Sequence, residues 1–294
     1  MGAAMARNLL AAGYEVTAHD VDSARLDELA AAGAQCAVSA GTLAAEVDVM
    51  VLSLPNTQAV RTTVEPLLGS TVHVRRGLVI LDTSTIDSDV SADIARRFRQ
   101  NGIAFLDAPV SGTPDMCAAR ENVVLVGGDH ATFERCAPVL AAMSKEAVHI
   151  GANGSALVLK LVVNLVLALH RMALAEGLTL AARAGLDPAQ TLEVLKKSAA
   201  YSKAMDQKGE RMVNRRFLPP IARIAITYKD LRFILALGEK LDCPLPLSAL
   251  NAQALASEIA KGRGDCDSSD IISFYDDLAN IHPPARTGPE PESV

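Results

Sequence analysis

Two polar side chains stand alone in an apolar segment near the middle of the chain. The segment ALVLKLVVNLVLAL, residues 156–169, contains only Lys160 and Asn164 as polar residues. Their spacing places them one turn apart on one face of a helix, and a helix this apolar is expected to be buried. A buried ammonium is costly unless it is paired or loses its charge. We therefore interpret Lys160 as a functional lysine, although in an average helix such a lysine extends its head to water.

A second set of residues matches half of a dinucleotide-binding fingerprint. Met1 and Gly2 lead directly into a helical pattern, and Asp20 ends the next strand pattern, 18 residues after Gly2. In a dinucleotide-binding βαβ unit the last glycine opens a helix that faces the pyrophosphate, and an acidic residue about 20 positions later binds the ribose. The first strand and the first two glycines of the unit are absent. By itself the pattern also fits an ordinary helix start followed by a turn aspartate.

Length and composition limit the classes of protein that the chain can represent. Its 294 residues suffice for about two domains, half of them are hydrophobic, and the formal charge of −6 has no basic block, which argues against nucleic acid or an anionic membrane as partner. The five scattered cysteines form no CxxC pair, so we expect free thiols and no zinc or other metal site. No secretory signal is recognisable, and the apolar segment is shorter than the roughly 20 residues that span a bilayer. These features predict a soluble, cytoplasmic protein.

The elements that must position these residues change in type near residue 151. Before it, short apolar strand patterns alternate with helical patterns, which predicts an α/β domain over 1–150 with a doubly wound, mostly parallel, Rossmann-like sheet. After it, helical patterns predict an all-α domain over 151–281, and the residues 282–294, rich in proline and charge, are predicted to be a disordered tail. The strand patterns are 14–20, 47–55, 77–84, 103–109 and 122–128; the helical patterns are 2–12, 23–33, 57–69, 88–101, 155–184, 188–199, 202–213, 226–241 and 246–261.

Six motifs, taken in their order along the chain, resemble those of the β-hydroxyacid dehydrogenases. This family contains 3-hydroxyisobutyrate, tartronate semialdehyde and threonate dehydrogenases. The opening MGAAMARNLL is similar to the end of the family's GxGxMGxxMAxNL, and GANGSALVLKLVVN, residues 151–164, is similar to its lysine block. The other four motifs are SLPN (53–56), LDTSTID (81–87), LDAPVSG (106–112) and TYKDL (227–231). Each motif alone is unspecific, whereas the ordered set is specific and covers the chain to about residue 280.

The resemblance implies the NAD-dependent oxidation of a small 3-hydroxy acid, 3-hydroxyisobutyrate-like or sugar-acid-like, by hydride transfer. Lys160 is then the general acid/base, because burial lowers the pKa of a lysine towards neutrality, and Asn164 binds the substrate hydroxyl. The resemblance assigns the substrate carboxylate to Ser111, Gly112 and Thr113, and the cofactor to Met1, Gly2, Asp20, Leu54, Pro55, Asn56, Thr85 and Lys229. Without the ordered set, Ser111 and Thr85 read as turn residues and Lys229 as part of a solvated helix.

The choice of cofactor follows from charge near the ribose. Asp20 would accept hydrogen bonds from a ribose 2′-hydroxyl and would repel a 2′-phosphate, and Val21 follows it where an NADP enzyme more often has an arginine. Arg25, the nearest cation, lies a turn into the next helix. We therefore predict NAD rather than NADP. The broad apolar face of the 155–184 helix, together with the resemblance, also implies a homodimer or a higher homo-oligomer.

Two departures from the family pattern leave alternatives open. The absent first strand is central in this fold, so its neighbours would have unpaired edges. Either Met1 is an internal methionine of a longer protein, which the intact patterning favours, or the chain is a shortened, inactive relative. In the substrate loop Thr113, Met116 and Arg120 replace family glycines, and their side chains restrict φ. The leading prediction is the dehydrogenase; the alternative is a catalytically silent relative that acts as a binding or scaffold subunit.

Overall fold

A computed structural model describes residues 1–69 and 73–281 of the chain. The predicted tail, 282–294, lies outside the described residues. The chain divides into two compact units, Met1–Lys160 and the chain from Leu161 onward, so the division falls inside a helix rather than at residue 150. The eight strands of the described part are β1 (Thr17–Ala18), β2 (Gln35–Cys36), β3 (Val49–Leu52), β4 (Val79–Asp82), β5 (Ala104–Asp107), β6 (Val110–Ser111), β7 (Val123–Gly127) and β8 (Glu146–Gly151).

Helices surround the strands in the first unit and make up the second. In the first unit they are α1 (Gly2–Ala11), α2 (Ser23–Ala31), α3 (Ala40–Glu46), α4 (Thr57–Val64), α5 (Ser88–Gln100), α6 (Pro114–Ala118) and α7 (His130–Met143). The long α8 (Ser155–Arg183) leads from the first unit into the second, which continues with α9 (Pro188–Lys197), α10 (Glu210–Val213), α11 (Ile224–Lys240), α12 (Pro246–Ala260) and α13 (Ile271–Leu278). Short 3₁₀ helices cover Glu65–Leu68 and Ser268–Asp270.

The main sheet of the first unit has the order β3-β4-β5-β7-β6, with β8 paired to β7. The pairs β3–β4, β4–β5 and β7–β8 are parallel, whereas β7 is antiparallel to β5 and β6. Successive strand residues point to opposite faces: Ile80 and Phe105 belong to one hydrophobic core, and Val79, Leu81 and Leu106 belong to another. Both faces of the sheet are therefore covered, as predicted for a doubly wound, mostly parallel sheet.

The strands β1 and β2 form a separate two-stranded parallel sheet. Among the described residues, no strand pairs with the second edge of β1 or with the free edge of β3. The predicted strand 14–20 shortens to the two residues of β1, since backbone without a partner on one side loses part of its hydrogen-bond ladder.

Most helices of the first unit start at a residue whose side chain accepts a hydrogen bond from a backbone N–H of the first turn. This cap stabilises a helix by about 1 kcal/mol. The capping residues are Asp22, Ser39, Asn56, Asp87, Thr113 and Asp129. Helix α1 differs, because Met1 provides no side-chain cap. The first N–H groups of α1 are therefore left without a side-chain acceptor.

The long helix α8 contributes to the cores of both units. Leu157 packs in the core of the first unit, and Leu161, Ala175 and Leu178 pack in the core of the second. By length and mean hydropathy, 1.9 over its most apolar window, α8 could also cross a membrane. Its residues in these two cores identify it as a core helix of a globular fold. The expectation that the apolar segment is buried is wrong for one face, where Val162 and Val166 are 48% and 43% exposed.

The helical pattern 202–213 is not one α-helix. The structure has a π-helix over Met205–Gly209, followed by the four residues of α10. The π-turn brings Lys208 to 2.7 Å from the buried carboxylate of Asp267. Hydrophobic periodicity does not reveal such a change of pitch, because it depends on a partner 59 residues away.

Candidate active site

The segments after β3 and β4 are joined by hydrogen bonds at the carboxyl edge of the sheet. The backbone N–H of Leu54 donates to Ser84 Oγ at 2.9 Å, and Thr83 Oγ1 donates to the carbonyl of Leu52 at 2.6 Å. The backbone N–H of Ser84 donates in turn to Asp82 Oδ1 at 3.0 Å. This chain of bonds holds the SLPN segment beside the segment that contains Thr85. In doubly wound proteins, ligands bind at this edge.

The start of α1 lies at the same edge. A Cβ atom added to Gly2 would lie 3.2 Å from Cβ of Ser53, so the helix approaches the SLPN segment closely. In that segment Pro55 is exposed, and Asn56 caps α4, with its Oδ1 accepting from Ala59 N at 2.9 Å. The fold therefore brings Met1, Gly2, Leu54, Pro55 and Thr85 to one edge, while the side chain of Asn56 has a structural hydrogen bond.

Asp20 follows β1 and is tied to the start of the next helix. Its Oδ1 accepts a hydrogen bond from Asp22 N at 3.0 Å, and its Oδ2 lies 3.9 Å from Nη1 of Arg25. The Arg25 side chain is 67% exposed and also pairs with Asp22 at 3.1 Å. The carboxylate predicted to bind a ribose is thus flanked by an exposed cation, which the sequence placed only as a neighbour along the chain.

The substrate loop of the sequence prediction becomes a short capped helix. Ser111 ends β6 opposite Val123, and Gly112, with φ of +159°, is exposed. Thr113 caps α6 by accepting from Met116 N at 3.2 Å. Arg120 then ends this turn with φ of +55°, a left-handed conformation that glycine adopts more easily.

A buried amide, which the sequence prediction missed, lies beneath this loop. Asn122 is fully buried, and neither atom of its side-chain amide has a hydrogen-bond partner among the described residues. A Cβ atom on Gly112 would lie 2.9 Å from Cβ of Asn122, so the loop can close over this residue only because position 112 is glycine. No sequence signal distinguishes Asn122 from an ordinary loop residue.

Two buried carboxylates at the ends of β4 and β5 were also missed. Asp82 and Asp107 are register partners, and each is at most 1% exposed. Burial raises the pKa of Asp82 to about 6, against hydrogen bonds from Ser84 that lower it. Burial likewise raises the pKa of Asp107, opposed by hydrogen bonds from Gly154 and Asn153. Both aspartates lie inside motifs that the sequence analysis selected for other residues. The sequence signal that could have identified them is an aspartate at the end of an apolar strand.

The two polar residues of α8 fall on opposite sides of the division between the units. Lys160, 7% exposed, is the last residue of the first unit, one turn beyond the buried Leu157. Asn164 belongs to the second unit, where its Nδ2 donates to Asp230 Oδ2 at 2.9 Å. Lys229 Nζ lies 3.5 Å from the other oxygen of Asp230 and 5.7 Å from the ring centre of Phe233. The Asn164–Asp230 pair thus joins the lysine block to the TYKDL motif.

Three further charged side chains of the second unit interact with one another: Arg171, Lys208 and Asp267. Burial lowers the pKa of Arg171, against the opposing influence of Asp267 and Asp230. Burial also lowers the pKa of Lys208, although its Nζ donates to Asp267 at 2.7 Å. These four residues place two cations near two anions inside the helical unit. Across residues 1–69 and 73–281, no group of three or more His, Cys, Asp or Glu side chains could hold a metal ion.

Comparison with known proteins assigns both parts of the chain. Residues 1–151 match the sequence family of the NAD binding domain of 6-phosphogluconate dehydrogenase. Residues 154–275 match the sequence family described as NAD-binding of NADP-dependent 3-hydroxyisobutyrate dehydrogenase. The chain belongs to the β-hydroxyacid dehydrogenase family. As a member of this family it is an NAD(P)-dependent oxidoreductase that acts on CH–OH groups.

Individual relatives align with nearly the whole of this chain. It is 32% identical to 2-(hydroxymethyl)glutarate dehydrogenase of Eubacterium barkeri, over 96% of this chain and 93% of the relative. It is 31% identical to 2-hydroxy-3-oxopropionate reductase of Escherichia coli (strain K12), over 95% of each chain. Among solved structures it resembles the 3-hydroxyisobutyrate dehydrogenase of Mycobacterium tuberculosis with L-serine, with a TM-score of 0.84 and 29% identity, over 94% of this chain and 95% of that one.

The residues of this β-hydroxyacid dehydrogenase fit a dinucleotide at the carboxyl edge of the sheet. The start of α1 has no side-chain cap, and free N–H groups at a helix N-terminus are the usual partners of a phosphate. Gly2, which has no Cβ, leaves room beside Ser53. The residues that would hold the cofactor from this edge are Met1, Gly2, Leu54, Pro55 and Thr85.

Proposed function

We propose that this β-hydroxyacid dehydrogenase oxidises a small 3-hydroxy acid with NAD, and that Lys160 is the general acid/base. The observation that carries the proposal is the placement of Lys160. It is 7% exposed, on a helix whose preceding turn packs into the core of the nucleotide-binding unit. Relatives named for 2-(hydroxymethyl)glutarate and 2-hydroxy-3-oxopropionate support a hydroxy acid as the substrate class.

Each residue of the site has a distinct task in this proposal. Bound NAD supplies the hydride acceptor. The Nζ of Lys160 takes the proton of the substrate hydroxyl as the alcohol is oxidised, which requires a lysine that is neutral when the substrate binds. Asn164 orients the hydroxyl. Ser111 and the backbone N–H of Gly112, with Thr113 beside them, hold the substrate carboxylate.

The cofactor preference is proposed from the acid at the end of β1. Asp20, whose Oδ1 already accepts from Asp22 N, can accept from a ribose 2′-hydroxyl through its second oxygen and repels a 2′-phosphate. Lys229 is a further residue that we assign to the cofactor. Asn56 contacts the cofactor through its backbone, because its side chain caps α4.

A homodimer and a cytoplasmic location complete the proposal. Val162, Val166 and Leu180 are 48%, 43% and 70% exposed and lie on one stripe of α8. Exposed apolar residues on one side of a helix are typical of an interface, and we propose that a second copy of the chain covers them. Val166→Asp should then produce monomers in sedimentation, whereas wild-type protein sediments as a dimer.

The test of the catalytic proposal compares two lysines of the first unit. Lys160→Ala should lower turnover of 2-(hydroxymethyl)glutarate or 3-hydroxyisobutyrate by about 10²-fold or more, with NADH binding unchanged by fluorescence titration. The exposed Lys145 is the matched control, and Lys145→Ala should change neither quantity. Full turnover by Lys160→Ala would remove the lysine from the mechanism. NADH binding by wild-type protein without turnover of any hydroxy acid would favour the silent binding subunit.

A further inference from the structure

We propose that Asp107 is a positioning residue for Lys160. Its buried carboxylate binds the segment that starts α8 and so fixes the lysine to the nucleotide-binding unit. This inference rests on the proposed role of Lys160. It concerns a different residue, on a different element, and it can be measured without turnover.

The carboxylate of Asp107 lies where the chain enters α8. Asp107 is the last residue of β5 and is fully buried. Its Oδ1 accepts hydrogen bonds from the backbone N–H of Gly154 at 2.9 Å and from Nδ2 of Asn153 at 3.2 Å. These two residues immediately precede α8, which begins at Ser155. A carboxylate in this position satisfies N–H groups that the helix cannot satisfy and complements the positive end of its dipole.

Asn153 ties the same segment to two strands. Besides Asp107, its Nδ2 donates to the carbonyl of Phe105 at 2.9 Å and to that of Gly127 at 3.3 Å. Gly154 has φ of +92°, and a Cβ atom there would lie 3.1 Å from the carbonyl oxygen of Ser88. The entry into α8 is thus fixed to β5 and β7, by bonds that need glycine at position 154.

A second glycine makes room for the carboxylate. Gly127 is the register partner of Asp107 on β7, and a Cβ atom there would lie only 2.5 Å from Asp107 Oδ2. Any larger residue at position 127 would push the carboxylate out of its place. The sequence therefore contains two separate residues, Asp107 and Gly127, on which the same contact depends.

The anchor is close enough to Lys160 to set its position. Lys160 lies six positions after Gly154, which corresponds to about 9 Å along a helix axis. Between them, Leu157 packs in the core that also contains Ile80 and Phe105. The first turns of α8 are therefore held at the entry and in the core. A catalytic group displaced by about 1 Å can lose about 10²-fold in rate.

Three variants test the proposal in the full chain. Asp107→Ala removes the acceptor of both hydrogen bonds, whereas Gly127→Ala keeps the carboxylate and displaces it. Asp129→Ala is the matched control, because Asp129 caps α7 in the same unit. Its Oδ2 accepts from Thr132 N at 2.8 Å and from Thr132 Oγ1. We measure amide hydrogen exchange over residues 155–161, and kcat and KM with a hydroxy acid and NAD.

Both test variants should exchange the amides of the first turns of α8 about tenfold faster than wild type, as expected for the loss of a helix cap. Both should also lower kcat by about tenfold or more, with the KM for NAD changed less than about threefold. The control should exchange these amides at the wild-type rate. Unchanged exchange over 155–161 in both test variants, or a kcat no lower than that of Asp129→Ala, would overturn the proposal.

The two proposals fail in different ways. If Lys160→Ala retains turnover, the proposed function is wrong, whatever the exchange of α8. If Lys160→Ala is inactive while both test variants keep full kcat, Lys160 stands as the base and the positioning role of Asp107 is wrong.

Discussion

The side-chain amide of Asn164 is bound by the carboxylate of Asp230, with Nδ2 donating to Oδ2 at 2.9 Å. Asn164 lies on α8 and Asp230 on α11, 66 residues further along the chain. An amide nitrogen has two N–H groups, so one of those on Nδ2 donates to Asp230 and we assign the other to the substrate hydroxyl oxygen. The proton of that hydroxyl then stays available to Lys160. Two motifs far apart in the sequence are joined in this way by one hydrogen bond in the second unit.

The first prediction concerns this pair. Asp230→Ala should raise the KM for the hydroxy acid by about tenfold, because losing a hydrogen bond to a charged group costs about 1.5–3 kcal/mol and frees the amide to rotate. The KM for NAD should change little. Lys229→Ala, one residue away, should instead raise the KM for NAD and leave the KM for the hydroxy acid little changed, if Lys229 contacts the cofactor. Steady-state kinetics with each substrate varied in turn separates the two, and equal effects on both KM values in both variants would contradict the assignment.

The second prediction concerns the choice between NAD and NADP. Asp20→Ser should weaken NADH binding and strengthen NADPH binding, because it removes a carboxylate that repels a 2′-phosphate. Nη1 of Arg25, which lies 3.9 Å from Asp20 Oδ2, can then pair with that phosphate while Nε still pairs with Asp22. The ratio of the two dissociation constants should shift by about tenfold or more, as expected for a charge-assisted hydrogen bond. Adding Arg25→Ala to Asp20→Ser should remove the gain for NADPH. Tighter NADPH than NADH binding by the wild-type chain would show that Asp20 does not select NAD.

The third prediction concerns the pH dependence of stability. Burial raises the pKa of Asp82 from 3.8 to about 6, so the folded state holds this proton more tightly than the unfolded state. The resulting contribution to stability is present in full below about pH 4 and is lost as the pH rises through 6. The loss amounts to about 3 kcal/mol of unfolding free energy.

Asp82→Asn should lack this pH-dependent loss, because an amide side chain does not ionise. Its oxygen can still accept the hydrogen bond from Ser84 N. The unfolding free energy of the variant minus that of wild type should be larger at pH 8 than at pH 4. Urea denaturation of both proteins at both pH values measures this difference. Asp107 remains in both proteins, so the difference between them reports Asp82 together with its electrostatic interaction with Asp107. Parallel pH profiles for the two proteins would mean that Asp82 does not retain its proton in the folded state.

The fourth prediction concerns strain in the substrate loop. Arg120 ends α6 with φ of +55°, a conformation in which a side chain costs about 1 kcal/mol relative to glycine. Arg120→Gly should therefore raise the unfolding free energy by about 0.5–1 kcal/mol. Arg120→Ala is the control, because it removes the charge but retains the strained φ, and it should give no gain. Equal stability of both variants in thermal denaturation would mean that the positive φ of Arg120 does not lower the unfolding free energy.

The overall fold could be predicted from local patterns in the sequence. The strands β3, β4, β5 and β7 lie within predicted strands, because each is a short apolar run of the kind that is buried on both faces. Helices with a capping residue and an apolar stripe, such as α5, were also located to within a residue or two. Short elements such as β2, α3, β6 and α6 were not predicted, since their few residues carry too little periodicity. They form because neighbouring elements pair with or pack on them.

The sequence by itself determined the family, the α/β unit followed by the helical unit, and the isolation of Lys160 and Asn164, because residue types, periodicity and the order of motifs are local properties. Only the tertiary structure decided which side chains meet. It separated β1 and β2 from the main sheet, bound Asn164 to Asp230 and placed Asp107 at the start of α8. Contacts between residues 47 or 66 positions apart depend on strand register, helix rotation and the space that Gly127 leaves. No local pattern in the chain encodes these quantities.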